Sequence, residues 1–138
     1  SFEDINLGSS SSYPEHLTVL GNTLYFSALD QNGTELWKTD GTENGTIRLK
    51  DISPPGSSSV HPHFLTVLGN TLYFRAHDQN GWELWKTDGT ENGTIRLKDI
   101  NPGSSSSYAS YLTVLGNTLY FTAQDIEGEE LWKIVDSQ

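Results

Sequence analysis

Among the side chains able to move protons or hold metals, four histidines stand out: His16, His61, His63 and His77. Imidazole titrates near neutral pH and is the commonest metal ligand, so each is a candidate for acid–base or metal chemistry. The pair in His61-Pro62-His63 suits zinc, copper or nickel. No further ligand accompanies it at a recognisable spacing, and none of the four sits in a nucleophile or zinc motif. Asp30-x-Asn32-Gly33 and Asp78-x-Asn80-Gly81 open like calcium loops. Calcium needs roughly six to eight oxygens, usually with a bidentate carboxylate. Here only Glu35 or Glu83 follows, on what reads as a strand, so a structural turn is favoured over calcium and no cofactor is expected. Cysteine is absent, which removes thiolate nucleophiles, thiolate metal sites and disulfides. Catalysis needs a constellation of matched groups, and none is visible, so the chain reads as a non-enzyme.

Recognition chemistry is better represented. Arg75 and His77 fall two apart on one strand and so share a face, and Trp82 begins the next strand across a hairpin. An aromatic ring beside arginine and histidine can stack on a sugar and bond its hydroxyls. These three residues stand where a close internal copy has Ser27, Leu29 and Thr34, and a further copy has Thr122, Gln124 and Glu129. The residues leading into each copy vary as well: Tyr13, Glu15, His16; His61, His63, Phe64; Tyr108, Ser110, Tyr111. Variation on a fixed frame is where binding usually resides. A lectin-like pocket around Arg75, His77 and Trp82, joined by His61 and His63, is the binding hypothesis. Neutral drift at exposed positions is its rival.

The frame that positions these residues is an internal repeat. Residues 17–52 recur at 65–100, an offset of 48, with differences only at Ser27/Arg75, Leu29/His77 and Thr34/Trp82. A third copy starts at Leu112 and diverges beyond Phe121. Such closeness points to recent duplication or deliberate design. Each copy predicts four short strands, at 17–20, 23–29, 35–39 and 47–52 in the first. Gly21-Asn22 makes a tight hairpin turn, and Asp30 to Gly33 and Asp40 to Gly45 make the next two. Asp40 and Asp88, each followed by Gly-Thr, are expected to hold the last turn by side-chain hydrogen bonds to backbone. Asp51, Asp99 and Asp4 are expected to brace the crossover in the same manner. Trp37, Trp85 and Trp132 occur in every copy and read as core. The second strand is apolar on both faces, as in a sheet covered on both sides, whereas the fourth alternates Ile47 and Leu49 with Arg48 and Lys50. Three hairpins and one long serine-rich crossover per copy describe a propeller blade.

Phe2 to Asn6 aligns with Leu97 to Asn101, so the chain opens on a fourth strand and closes, at Leu131 to Val135, on a third. In chain order the units are about 1–40, 46–88 and 94–135 of a single domain, 1–138, each running fourth, first, second, third strand. Propellers have about four to eight blades, so three need company. The expectation is a symmetric homodimer, a six-bladed ring in which Phe2 and Ile5 of each chain complete the sheet carrying Leu131 and Ile134 of the other. A β-trefoil, a monomeric fold of three four-stranded repeats at this length, is the alternative.

The stretches Glu35-Leu36-Trp37-Lys38-Thr39-Asp40-Gly41-Thr42, 83–90 and Glu130-Leu131-Trp132, with Leu24-Tyr25-Phe26, Gly45-Thr46 and Lys50-Asp51-Ile52, resemble the bacterial ELWxxDGT repeat family over nearly the whole chain. The resemblance implies tandem propeller blades in secreted or cell-surface proteins, and no defined activity. The third copy departs from it, with Ile134-Val135-Asp136 in place of Thr-Asp-Gly. A formal charge of -10 argues against nucleic acid as a partner. No apolar run is long enough to span a membrane as a helix, and no targeting segment is read at Ser1. The expected partners are a second copy of the chain and, on the binding hypothesis, a carbohydrate. The expected role is a scaffold that oligomerises by strand exchange, with a lectin-like module as the alternative.

Overall fold

The structure, a computed structural model, describes residues 5, 11–52, 62–79, 81–97, 100–101 and 106–136. Phe2, His61 and the serine-rich connection 53–59 lie outside the described residues. The described chain is all-β, without helix, and forms three antiparallel sheets. The first comprises β1 (Glu15–Leu20), β2 (Thr23–Asp30), β3 (Gly33–Thr39) and β4 (Ile47–Lys50). The second comprises β5 (His63–Leu68), β6 (Thr71–Asp78), β7 (Gly81–Thr87) and β8 (Ile95–Arg96). The third comprises β9 (Ser110–Leu115), β10 (Thr118–Asp125) and β11 (Gly128–Val135). Within each sheet the strands lie in chain order, and none of the sheets closes on itself among the described residues.

Local chemistry explains the meander. Gly21, Gly69 and Gly116 take φ of 63°, 61° and 62° ahead of an Asn with ordinary φ, the two-residue turn that matches strand twist. In the turn from β3 to β4, Asp40 Oδ1 accepts the Thr42 N–H at 2.9 Å and its hydroxyl at 2.6 Å. Thr42 Oγ1 then accepts the Gly45 N–H at 2.9 Å, and Thr39 and Thr46 pair their hydroxyls at 2.6 Å. Asp88, Thr90, Gly93, Thr87 and Thr94 repeat this network in the second sheet. The Asp-Gly-Thr motif is thus a turn lock. Hydrogen bonds from the Thr42 and Thr90 hydroxyls and N–H groups hold both carboxyls below the usual range. Asp30 and Asp125 likewise cap their own turns, accepting the N–H of Asn32 and Glu127 at 2.8 Å. Asp51 is exposed, and the crossover it was expected to brace, like Asp4 and Asp99, lies outside the described residues. At the end of the fourth strand the buried Glu35 accepts the Ile52 N–H on its Oε1 at 2.8 Å.

The sheets stack face to face in one direction. Tyr25, Leu36, Leu49 and Ile52 of the first pack on Leu72, Phe74, Ala76 and Trp85 of the second. Tyr73 and Leu84, on the opposite face of the second, pack on Leu119, Phe121 and Ala123 of the third. One junction is therefore repeated, and the second sheet, which takes part in both, needs apolar residues on both sides of β6. Strands β1, β5 and β9 adjoin, so the first strands of the three sheets line a common inner edge. Lys38 and Lys50 of the first sheet reach across to carbonyls of Gly89 and Thr94, at 2.5 and 2.9 Å.

The outer faces of the stack differ from its junctions. Leu36 and Leu84 are 0% and 1% exposed, while the equivalent Leu131 is 70% exposed. Leu68 is 5% exposed and its equivalent Leu115 71%. Ile134 faces inward, half-buried, and lines a cavity of about 480 Å³ with Tyr73, Leu97 and Trp132. Ile5 lies over the outer face of the first sheet, sharing a cleft with Leu17, Leu24 and Phe26.

Candidate functional site

The inner strand of every sheet carries a β-bulge. Glu15 pairs with Ser27 and Thr18 with Tyr25, so β1 spends one residue more than β2 over the same span. His63–Arg75 with Thr66–Tyr73, and Ser110–Thr122 with Thr113–Tyr120, repeat the shift. Bulges re-aim side chains, and here the bulged residues are His16, Phe64 and Tyr111, with φ of 59°, 58° and 56°. Left-handed backbone at a bulky residue is strained, by about 1–3 kcal/mol each, and such strain clusters at functional sites. The following threonine holds each bulge: Thr18, Thr66 and Thr113 donate their hydroxyls to the carbonyls of His16, Phe64 and Tyr111 at 3.0, 2.6 and 3.0 Å.

The bulges gather rings at one end of the inner edge, around Arg75. The guanidinium carbon lies 4.7 Å from the Trp82 ring centre and 5.1 Å from that of Phe64, within cation–π range of both. Its Nη1 donates to Ser110 Oγ of the third sheet at 3.2 Å, and Nη2 donates to His63 Nδ1 at 3.0 Å. The latter bond makes Nδ1 an acceptor and so favours the neutral imidazole with its proton on Nε2. His63 stacks on Trp82 at 5.8 Å and 9° and meets His16 edge-on at 5.2 Å. His77 stands edge-on to Trp82 at 5.2 Å. Phe64 meets Tyr111 at 6.3 Å. A cleft of about 530 Å³ opens between His16, Thr18, His63, Phe64 and Arg75.

The electrostatics are unusual for so acidic a chain. Arg75 forms no ion pair among the described residues, where the single bridge is Arg96 to Asp78 at 4.0 Å. Its Nε is buried without a hydrogen-bond partner. Burial pushes the guanidinium below the ordinary arginine value, with Tyr108 opposing. Trp82 is anchored by backbone rather than by its ring: its N–H donates to Ser106 Oγ at 2.9 Å, and its carbonyl accepts the Ser107 N–H at 3.0 Å.

The structure thus brings together Arg75, His77, Trp82 and His63 of the residues picked from sequence. Sequence reasoning noted Phe64 and Tyr111 only as variable positions, and His16 as a variable position and one of four candidate histidines. The signal that joins them is the repeated Leu-Thr-Val-Leu, whose threonine props a bulge. Leu131 pairs with Thr122, which pairs with Ser110 of the cluster, but its side chain is exposed on the outer face, and Ile134 and Ile5 sit as described above. No group of three or more metal-capable side chains occurs among the described residues. Comparison of the chain with protein-family models, with curated proteins and with solved structures finds no match in any of the three.

Proposed function

We propose that the chain is a non-catalytic β-propeller scaffold that pairs with a second copy of itself, giving a ring of six sheets. The supporting observation is the contrast between Leu131, 70% exposed, and its equivalents Leu36 and Leu84, sealed at the two junctions inside the chain. Junctions between sheets here are directional, one face against the opposite face of the next, so the free face of the third sheet complements the free face of the first. Two chains related by a two-fold axis satisfy both pairs at once and close the array. Separate, face-stacked sheets favour the propeller over the trefoil.

The edge chemistry points the same way. Glu35 is buried and holds the Ile52 N–H, whereas Glu130, its equivalent, is exposed on β11, which has no fourth strand beside it among the described residues. Ile5 aligns with Ile52 and lies over the first sheet as Ile52 lies over the second. In the ring, the segment around Ile5 from one chain becomes the missing outer strand of the other, and Glu130 receives its backbone. Such pairing removes an open strand edge. The resemblance to ELWxxDGT repeats adds the expectation of a secreted or cell-surface setting. Sedimentation equilibrium tests the assembly: a species of twice 15.3 kDa is expected, and a stable monomer at all concentrations overturns the proposal.

A further inference from the structure

We propose that the cleft beside Arg75 binds the carboxylate of an acidic sugar, a uronate, stacked against the bulge-borne rings. The inference goes beyond assembly, because every contributing residue belongs to one chain.

The cation comes first. A half-buried guanidinium without an acidic partner among the described residues is unusual in a chain of formal charge -10. Guanidinium carries five N–H donors. One on Nη1 goes to Ser110 and one on Nη2 to His63, which leaves a second N–H on each terminal nitrogen. Carboxylates take up pairs of guanidinium N–H donors in bidentate fashion. The rings of Phe64 and Trp82 and these two bonds fix the guanidinium plane in advance, so little rotamer freedom is lost on binding.

The rest of the ligand follows from the walls. Besides Arg75, the cleft is lined by the rings of His16, His63 and Phe64, by Leu17 and Leu65 and by the hydroxyl-bearing Thr18, and Tyr111 beside Phe64 is largely exposed. Ring faces suit the C–H face of a pyranose, while hydroxyl and imidazole groups suit its hydroxyls. One cation in an acidic surface selects a single negative charge and disfavours phosphorylated or polyanionic ligands. The other sheets supply the internal control: Ser27 and Thr122 replace Arg75 there, so the frame folds without the arginine.

The test is titration of the whole chain with sodium glucuronate, glucose and acetate, followed by tryptophan fluorescence, with Arg75→Ser and Tyr111→Ala as variants. Saturable glucuronate binding is expected, at least tenfold tighter than glucose or acetate, and weakened at least tenfold by either variant. The overturning results are absence of saturation by glucuronate, equal affinity for glucose or acetate, or unchanged affinity in Arg75→Ser. Mass measured on the same samples separates the two proposals: a monomer that binds glucuronate sinks the ring and leaves the site standing.

Discussion

Replacing Leu131 by alanine separates an isolated stack of three sheets from a closed ring of six. In the isolated chain the side chain is 70% exposed, so its truncation removes little buried area and should cost under about 0.5 kcal/mol. In the ring it takes the environment of Leu84, 1% exposed, where burial of leucine stabilises by about 1.5–3 kcal/mol. A two-fold ring contains two such junctions, so the dimer loses about 4 kcal/mol. At about 1.4 kcal/mol per tenfold, the dissociation constant should rise roughly a thousandfold. Sedimentation equilibrium over a dilution series reads this directly, with Leu84→Ala as the comparison. That substitution should lower the stability of the fold itself by about 2–5 kcal/mol, because it opens a cavity at a junction within the chain. Identical dissociation constants for Leu131→Ala and the unaltered chain would refute the reasoning, since no covered face would then exist.

Three further outcomes follow from the repeated contacts. Lys38→Met should destabilise the fold by about 1 kcal/mol, as it deletes the bond to the Gly89 carbonyl, while Lys86→Met should change stability by under about 0.5 kcal/mol; equal losses in chemical denaturation would contradict the assignment. Gly45→Ala should cost about 1–3 kcal/mol, because the new Cβ collides with the Asp40 carboxylate that locks the turn; a neutral effect on the melting temperature would show the lock to be dispensable. Asp40 and Asp88 are held below their unfolded value of about 3.9, so the folded state binds fewer protons there than the unfolded state. Their contribution is therefore present above about pH 4 and lost as pH falls through the lower folded values; an Asp40→Asn, Asp88→Asn chain keeps the acceptors and should lose stability less steeply below pH 4, and an unchanged slope of acid denaturation counts against it.

Much of the fold was legible because strand period and turn chemistry agree. The alternation in 47–52 and the doubly apolar second strand predicted which strand lies outside and which is covered on both faces, and in the middle sheet β6 is covered by a sheet on each side. Boundaries moved for a local reason: Asp30 pairs with Gly33 directly, so β2 and β3 extend into the turn beyond the apolar residues. The cluster of Arg75, His77 and Trp82 was legible because a hairpin register sets cross-strand neighbours, and His77 does pair with Trp82. The contacts that His63, Phe64 and Ser110 make with it were not, although His63 was picked as a pocket residue and the other two as variable positions. One requires the bulge to bring His63 opposite Arg75, another requires a left-handed phenylalanine, and the last comes from the adjoining sheet, which no pattern within a single copy encodes.

The bulge also explains how one scaffold can carry different surfaces. In all three sheets the threonine that caps the bulge and the two-residue turn that follows are the same, whereas the bulged residue is His16, Phe64 or Tyr111. Strain is thus confined to a position whose side chain varies and whose backbone is propped by a side chain that does not. Opposite each bulge, the second strand offers Ser27, Arg75 or Thr122, so the display pairs one variable residue with another. A substitution at Arg75 should therefore alter the cleft while leaving the junction of Phe74 with Tyr25 and Leu36 intact, because Arg75 and Phe74 point to opposite faces of β6. Arg75 shares its face of β6 with Tyr73 and sits opposite Leu84, so the variable position adjoins a junction face whose core residues it does not replace, and near-identical copies can differ where ligands would be met.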